Sequence, residues 1–429
     1  MNTKSRTNCI FPVNEFAALK QKVLNWTQKF DTFCFLDNNQ YQTEQHTVEC
    51  MLAAGVRRQV NTIAGNALTS LQHFIDEKPA WIFGHLGYDL KNEIEKLSSA
   101  HPDGLQFPDL YFFEPEIILR FNEREMIIEA ENPERVYAEI NATSIKGSTG
   151  IKGVNIQNRV SKKEYLKLVN KLQQHILRGD CYEINFCQEF FSEHAELDPL
   201  FVYQKLCAIS PNPFSALYKI KNKWLICASP ERYLKKQGNN IISQPIKGTA
   251  KRITENEVID NLSKVALINS AKDRSENVMV VDLVRNDLSK VCKEGTVVVE
   301  ELFGVYSYPQ VHQMISTISG ELKTAISFQE IIRATFPMGS MTGAPKRRVM
   351  ELIEMYEKTK RGIFSGALGY ISPDGNFDFN VVIRSILYNA EIKYLSCQAG
   401  SGITFYSHPE KEWEECLMKA EALIKVLGN

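Results

Sequence analysis

In "SKKEYLKLVNKLQQHILRGD", Tyr165, Leu168, Val169, Leu172 and Ile176 recur at the three- and four-residue spacing of one helix face. That period predicts an amphipathic helix. Ser161 and Glu164 have the spacing of a capping box at its start, and Gly179 can supply the left-handed residue that stops it. The runs that follow, "CYEINFCQEFF", "FSALYKI", "KWLICASP" and "NIISQPI", are alternating or rich in β-branched and aromatic residues and predict strands. Two further helical patterns stand in "SAKDRSENVMVVDLVRNDLSKV", Ser270 to Val291, and "HPEKEWEECLMKAEALIKVL", near the C-terminus. Helix, several strands, long helices and strands again do not make a regular βαβ alternation. The order predicts an α+β fold with mostly antiparallel sheets.

One composition shift interrupts this pattern. "NATSIKGSTGIKGVNIQN" is rich in Gly, Ser, Thr and Asn and has no helical period. It predicts a connection between an N-terminal segment, 1–158, and a larger C-terminal one, 159–429. The overall charge adds exclusions: Lys+Arg 50 against Asp+Glu 51 leaves −1, with no basic stripe to bind nucleic acid. No apolar run is long enough to span a bilayer, and the N-terminus lacks the apolar centre of a signal peptide. The ten cysteines form no CxxC pair or dense framework and read as reduced thiols of a cytoplasmic protein.

Candidate chemistry begins with carboxylates. Asp273 and Glu276 share a helix face, as do Glu412 and Glu415, so four carboxylates on two helices could converge on Mg²⁺, which takes oxygen ligands. Same-face acidic pairs are more often solvated surface. Glu231, in "ASPERYL", is either an exposed turn residue beside Arg232 or, if buried, a general acid. Gly400 and Gly402 in "QAGSGITF" either relieve a bulge or let backbone amides approach an anion. His312 reads more readily as a satisfied core histidine than as a catalyst. "FPMGSMTGAPKRR" lacks the spacing of a phosphate loop, and neither HExxH nor a nucleophile elbow occurs.

Ten segments in order, "GDCYEINF", "SPNPFSALY", "ASPERYL", "QPIKGT", "KDRSENVMVVDLVRNDL", "FPMGSMTGAPK", "GALGYIS", "FNVVIRS", "QAGSGI" and "EWEECLMKAE", resemble the chorismate-utilising enzymes from about residue 160 onward. "WIFGHLGYDL" extends the resemblance into the N-terminal segment. It implies one α+β unit of two mostly antiparallel sheets packed face to face with helices outside. It also implies Mg²⁺ on Glu276 and Glu415, with Asp273 and Glu412 in support, and Glu231 as the acid that helps the C4 hydroxyl of chorismate depart. Gly248, Thr249, His312, Arg384 and the turn Gly400, Ser401, Gly402 match positions lining the chorismate site.

Within the family, "PIKGT" is similar to the aminodeoxychorismate synthases, whereas anthranilate synthases typically carry Ala in place of Lys247. The resemblance therefore implies that Lys247 adds at C2 of chorismate and that ammonia then attacks C4. The ammonia would come from a separate glutamine amidotransferase subunit, since the chain carries no glutaminase nucleophile motif. Three positions depart from the pattern: Glu183 where aminating members usually have Gln, Phe364 where many have Tyr, and Gln244 where Arg is common. "FCFLDNN" stands where tryptophan-regulated members have "LLES", so tryptophan inhibition is not expected.

Overall fold

The computed structural model describes residues 6–41, 48–145, 147 and 150–428. Of the predicted connection, residues 146, 148 and 149 lie outside that set; Ile151–Lys152 and Gln157–Asn158 are short strands.

The local expectations hold where the pattern was strongest. The helix Lys162–Leu177 buries Tyr165, Leu168, Val169 and Leu172, and the Ser161 hydroxyl accepts from the Glu164 amide at its start. Gly179 follows in the left-handed region at φ +81°. Ser270 likewise caps the helix Ala271–Val291 by accepting from the Asp273 amide, and Pro409–Val426 forms the C-terminal helix.

Two large antiparallel sheets, of twelve and ten described strands, make the α+β body. In the larger sheet, Cys50–Ala54 and Thr32–Asp37 run side by side into Phe214–Ile220, Lys223–Ser229, Ser385–Asn389, Tyr394–Ile403 and Glu183–Ser192. In the smaller sheet, Ile246–Lys251, Val311–Glu321, Asn240–Gln244, Arg232–Gln237, Phe377–Val381 and Ala367–Ile371 continue into Ile82–Leu86 and Leu110–Glu114. Strands from before and after residue 158 are thus hydrogen-bonded neighbours in both sheets, Thr32–Asp37 with Phe214–Ile220 and Ile82–Leu86 with Ala367–Ile371.

Period-2 geometry explains how one strand serves two cores. Cys34, Met51, Ala53, Ala216 and Tyr218 join a cluster that also takes Phe83, Phe112, Leu234 and Phe379 of the smaller sheet. Their neighbours Phe33, Phe35, Leu52 and Leu217 face the other way, against Val23, Leu168, Leu206 and Leu423 of the outer helices. Strands covered on both faces read as continuous apolar runs. All ten cysteines are free thiols, and no helix among the described residues is long and apolar enough to cross a membrane.

Candidate active site

The chain changes sheets twice at one place. It leaves the larger sheet after Ser229, passes Pro230 and Glu231, and enters the smaller sheet at Arg232. It returns after Val381, passing Arg384 before Ser385. The two crossings are tied together: the Val381 amide donates to the Glu231 carbonyl at 3.0 Å, and the Ala228 amide to the Arg384 carbonyl at 3.1 Å. Glu231 and Arg384 therefore stand in the same corner, on the wall of an open cavity of about 270 Å³.

Glu231 is 3% exposed, which removes the surface-turn alternative; Arg232 instead pairs with Asp378. Burial pushes the Glu231 carboxyl up to about 7, against the pull of Lys247 and Arg384. Near neutral pH it can hold a proton and give it away. Arg384 adopts the left-handed region at φ +48°, an uncommon conformation for a non-glycine residue. Among the described residues its guanidinium makes no ion pair and no hydrogen bond, and burial lowers its pKa from the usual arginine value. A half-buried cation on a cavity wall, with no carboxylate paired to it, suits a carboxylate ligand.

Lys247 reaches the cavity because its strand bulges. Ile246 pairs with Ile315 and Thr249 with Gln313, so Lys247 and Gly248 together oppose one residue. Gly248 has φ +97°, and a Cβ there would sit 3.1 Å from the Asp273 Cβ, so glycine is required for the bulge to lie against the helix Ala271–Val291. The Lys247 ammonium donates to Glu183 Oε1 at 2.5 Å. Burial pulls its pKa down, but the charges of Glu183, Glu276 and Glu415 outweigh burial and hold the lysine above its ordinary range. In the free protein the amine is protonated.

The acidic groups divide. Asp273, Glu276 and Glu415 line the cavity. Burial, with the charges of Glu183 and Glu415, pushes Glu276 up to about 7, and its Oε1 is buried without a hydrogen-bond partner. Burial would raise Glu415 too, but Lys419 at 2.8 Å and Lys272 hold it down to about 2. Glu412 does not line the cavity; it is turned to Lys272 at 3.0 Å. Lys272 also lies 3.7 Å from both Glu276 and Glu415 and so neutralises the centre of the acidic set. Of the cavity carboxylates, Glu276, whose buried Oε1 accepts no hydrogen bond, and Glu415 fit a hard dication, which takes one or two protein carboxylates and fills the rest with water and substrate oxygens. The four-carboxylate cage expected from spacing is not formed in this arrangement, because Lys272 holds Glu412 aside.

Two further expected residues lie off the cavity. His312 is 1% exposed and bonds Ser307 Oγ at 2.9 Å and Asp260 at 3.2 Å; strand alternation presents its neighbour Gln313 to the cavity instead. Gly400 and Gly402 line the wall from within the strand Tyr394–Ile403 rather than from a turn, and Ser401 between them faces Tyr165 on the opposite side. A Cβ on Gly402 would come within 2.7 Å of Glu183 Oε1 and 2.8 Å of Lys247 Nζ. Thr249 and Phe364 line the cavity, while Gln244 bonds Arg232 and Thr317.

The family described as chorismate binding enzyme matches residues 22–425. The chain belongs to it. Among relatives of this chorismate binding enzyme, anthranilate synthase component 1 of Saccharolobus solfataricus is 35% identical over 350 residues, 81% of this chain and 80% of the relative. Aminodeoxychorismate synthase component 1 of Escherichia coli is 33% identical over 350 residues, 80% of this chain and 76% of its own. The crystal structure of anthranilate synthase component I from Streptococcus pneumoniae superposes with a TM-score of 0.76 over 89% of this chain and 95% of its own, at 22% identity. For a chorismate binding enzyme, the wall also holds residues that spacing alone did not single out: Asn185, Gln313, Ser340, Gln398 and Lys419. The segment "FPMGSMTGAPK", rejected as a phosphate loop, supplies Ser340 and Met341.

Proposed function

We propose that this chorismate binding enzyme aminates chorismate at C4, giving 4-amino-4-deoxychorismate. The observation that carries the proposal is the Lys247 amine, delivered by a bulge into the cavity that Glu231 also lines. Arg384 takes a substrate carboxylate bidentately. Gly402, where a Cβ would fall among Glu183, Lys247 and Glu276, keeps the space beside the amine open for the ring. The Lys247 amine forms a bond to C2, the ring double bonds shift, and Glu231 gives its proton to the departing C4 hydroxyl, which leaves as water. Ammonia then bonds to C4 and the lysine departs from C2.

Glu276 and Glu415 are the residues that would hold Mg²⁺, and the ion supplies charge compensation for a substrate carboxylate. Excess chelator is expected to abolish turnover and added Mg²⁺ to restore it. Glu415→Gln is expected to be inactive yet folded, with a cooperative melt lowered only modestly by the lost pairing with Lys419 and Lys272, because the half-buried Glu415 faces the cavity rather than a packed core. Full turnover in chelator overturns the metal assignment.

Ammonia would arrive from a separate glutamine-hydrolysing subunit. Purified chain with chorismate and Mg²⁺ is expected to make no product from glutamine and to form 4-amino-4-deoxychorismate from concentrated ammonium at alkaline pH. Chromatography with mass detection separates the outcomes. Anthranilate and pyruvate in the product would instead give this chain the activity named for its Saccharolobus relative.

A further inference from the structure

Glu183 opens the strand Glu183–Ser192 of the larger sheet, while Lys247 belongs to the edge strand of the smaller one. Their 2.5 Å contact therefore bridges the sheets where Lys247 enters the cavity. Both groups are fixed. The Tyr182 amide donates to Ala344 and the Asn185 amide to Thr342, each at 2.8 Å, which anchors the strand on either side of Glu183. The Asn277 side chain donates to the Lys247 carbonyl at 3.4 Å. Glu183 is 1% exposed, and its second oxygen, Oε2, is buried with no hydrogen-bond partner. Gly402 leaves open the space that the contact fills.

We propose that Glu183 takes the proton from the Lys247 ammonium, freeing the amine for attack, and returns it when the lysine leaves. The proposal rests on Lys247 being the nucleophile. The glutamine that aminating relatives usually carry here can accept a hydrogen bond from the ammonium, but an amide is too weak a base to accept its proton. A carboxylate at contact distance does both.

The protons balance. Transfer across the contact leaves a neutral amine and a carboxylic acid. The amine bonds to C2 as a secondary ammonium while the C4–O bond breaks and Glu231 supplies the proton that makes water. Ammonia bonds to C4, the C2–N bond breaks to return a neutral amine, and the new C4 ammonium restores the Glu231 proton. Glu183 then reprotonates the lysine. Covering the pair with substrate excludes water, and a dry environment favours the neutral pair over two buried charges.

The consequence is a pH profile. In the wild type the proton moves inside the pair, so forming the adduct requires no loss of a proton to solvent. Without Glu183 that proton must leave, and the rate then depends on hydroxide concentration. Asp273 and Glu276 from the helix Ala271–Val291, Glu415 and Lys419 from Pro409–Val426, and Glu231 and Arg384 from the crossings also face the cavity; all are unchanged by a substitution at position 183.

The experiment is rapid-quench mass spectrometry of the full chain with chorismate and Mg²⁺ and no ammonia, following the mass gained by the Lys247 peptide from about pH 6 to about 9. In the wild type the rate is expected to show no rising limb. In Glu183→Gln it is expected to rise about tenfold per pH unit up to about 7 and to level off above it, where loss of the Glu231 proton offsets the gain in neutral lysine. Chorismate affinity, by calorimetry, checks that the variant is folded. A rising limb of equal slope in both proteins overturns the role of Glu183 and leaves it a hydrogen-bonding residue. No adduct in the wild type at any pH overturns the nucleophile reading, and the Glu183 proposal with it.

Discussion

Lys247→Ala is expected to lose the covalent adduct and to lower C4 amination by about a thousandfold or more, as removal of a nucleophile does elsewhere. The adduct should appear in the wild type as a mass increase on the Lys247 peptide when ammonia is withheld. The substitution also leaves Glu183 buried without its cation. Breaking a buried pair by removing one partner costs about 3–5 kcal/mol, so the melting temperature should fall as well. Adding Glu183→Gln removes the stranded charge; stability should return while amination does not. An Ala variant that makes 4-amino-4-deoxychorismate at the wild-type rate would reduce Lys247 to a binding residue. Wild-type release of anthranilate and pyruvate would instead overturn the C4 reaction.

Glu231→Gln keeps the shape of the side chain and removes its proton. Loss of a general acid costs about a hundredfold to ten-thousandfold in rate, so kcat should fall by that factor with chorismate affinity nearly unchanged. The direction of the pH dependence follows from burial. The Glu231 carboxyl titrates near 7 instead of 4.5, so the acid form persists to neutrality. Wild-type kcat should decline as pH rises through about 7, and the Gln variant should lack that decline. The same shift makes the folded chain bind a proton more tightly than the unfolded one between the two values. Its contribution to stability is complete below 4.5 and is lost as pH rises toward 7. A Gln variant turning over near the wild-type rate would mean that another group protonates the leaving hydroxyl.

Helices were legible because their signals are local. Tyr165 through Leu172 mark one face, and Ser161 caps where its spacing to Glu164 places it. The motif segments also delivered Lys247, Glu231 and Arg384 to one cavity. Less could be read where long-range pairing decides. The pairing of Thr32–Asp37 with Phe214–Ile220 joins strands buried on both faces, whose apolar runs carry no alternation to set a register. His312 and Gln313 differ by one position on a strand, and only the ladder says which faces the cavity. Lys272 is an ordinary helix-surface lysine until two helices bring Glu276, Glu412 and Glu415 around it. Glu183 stood out as a departure from a pattern, but its contact with Lys247 crosses from one sheet to the other.

Every described residue lining the cavity lies at or beyond Asn185, yet the segment before residue 158 supplies interior strands to both sheets. Inherited variation in the two parts is therefore read out differently. A change early in the chain alters how many molecules survive as folded enzyme, through the shared cores. A change in the lining alters what each surviving molecule does. Two mutants with the same loss of cellular output would be told apart by titrating active sites: the first kind has fewer of them, the second has slower ones.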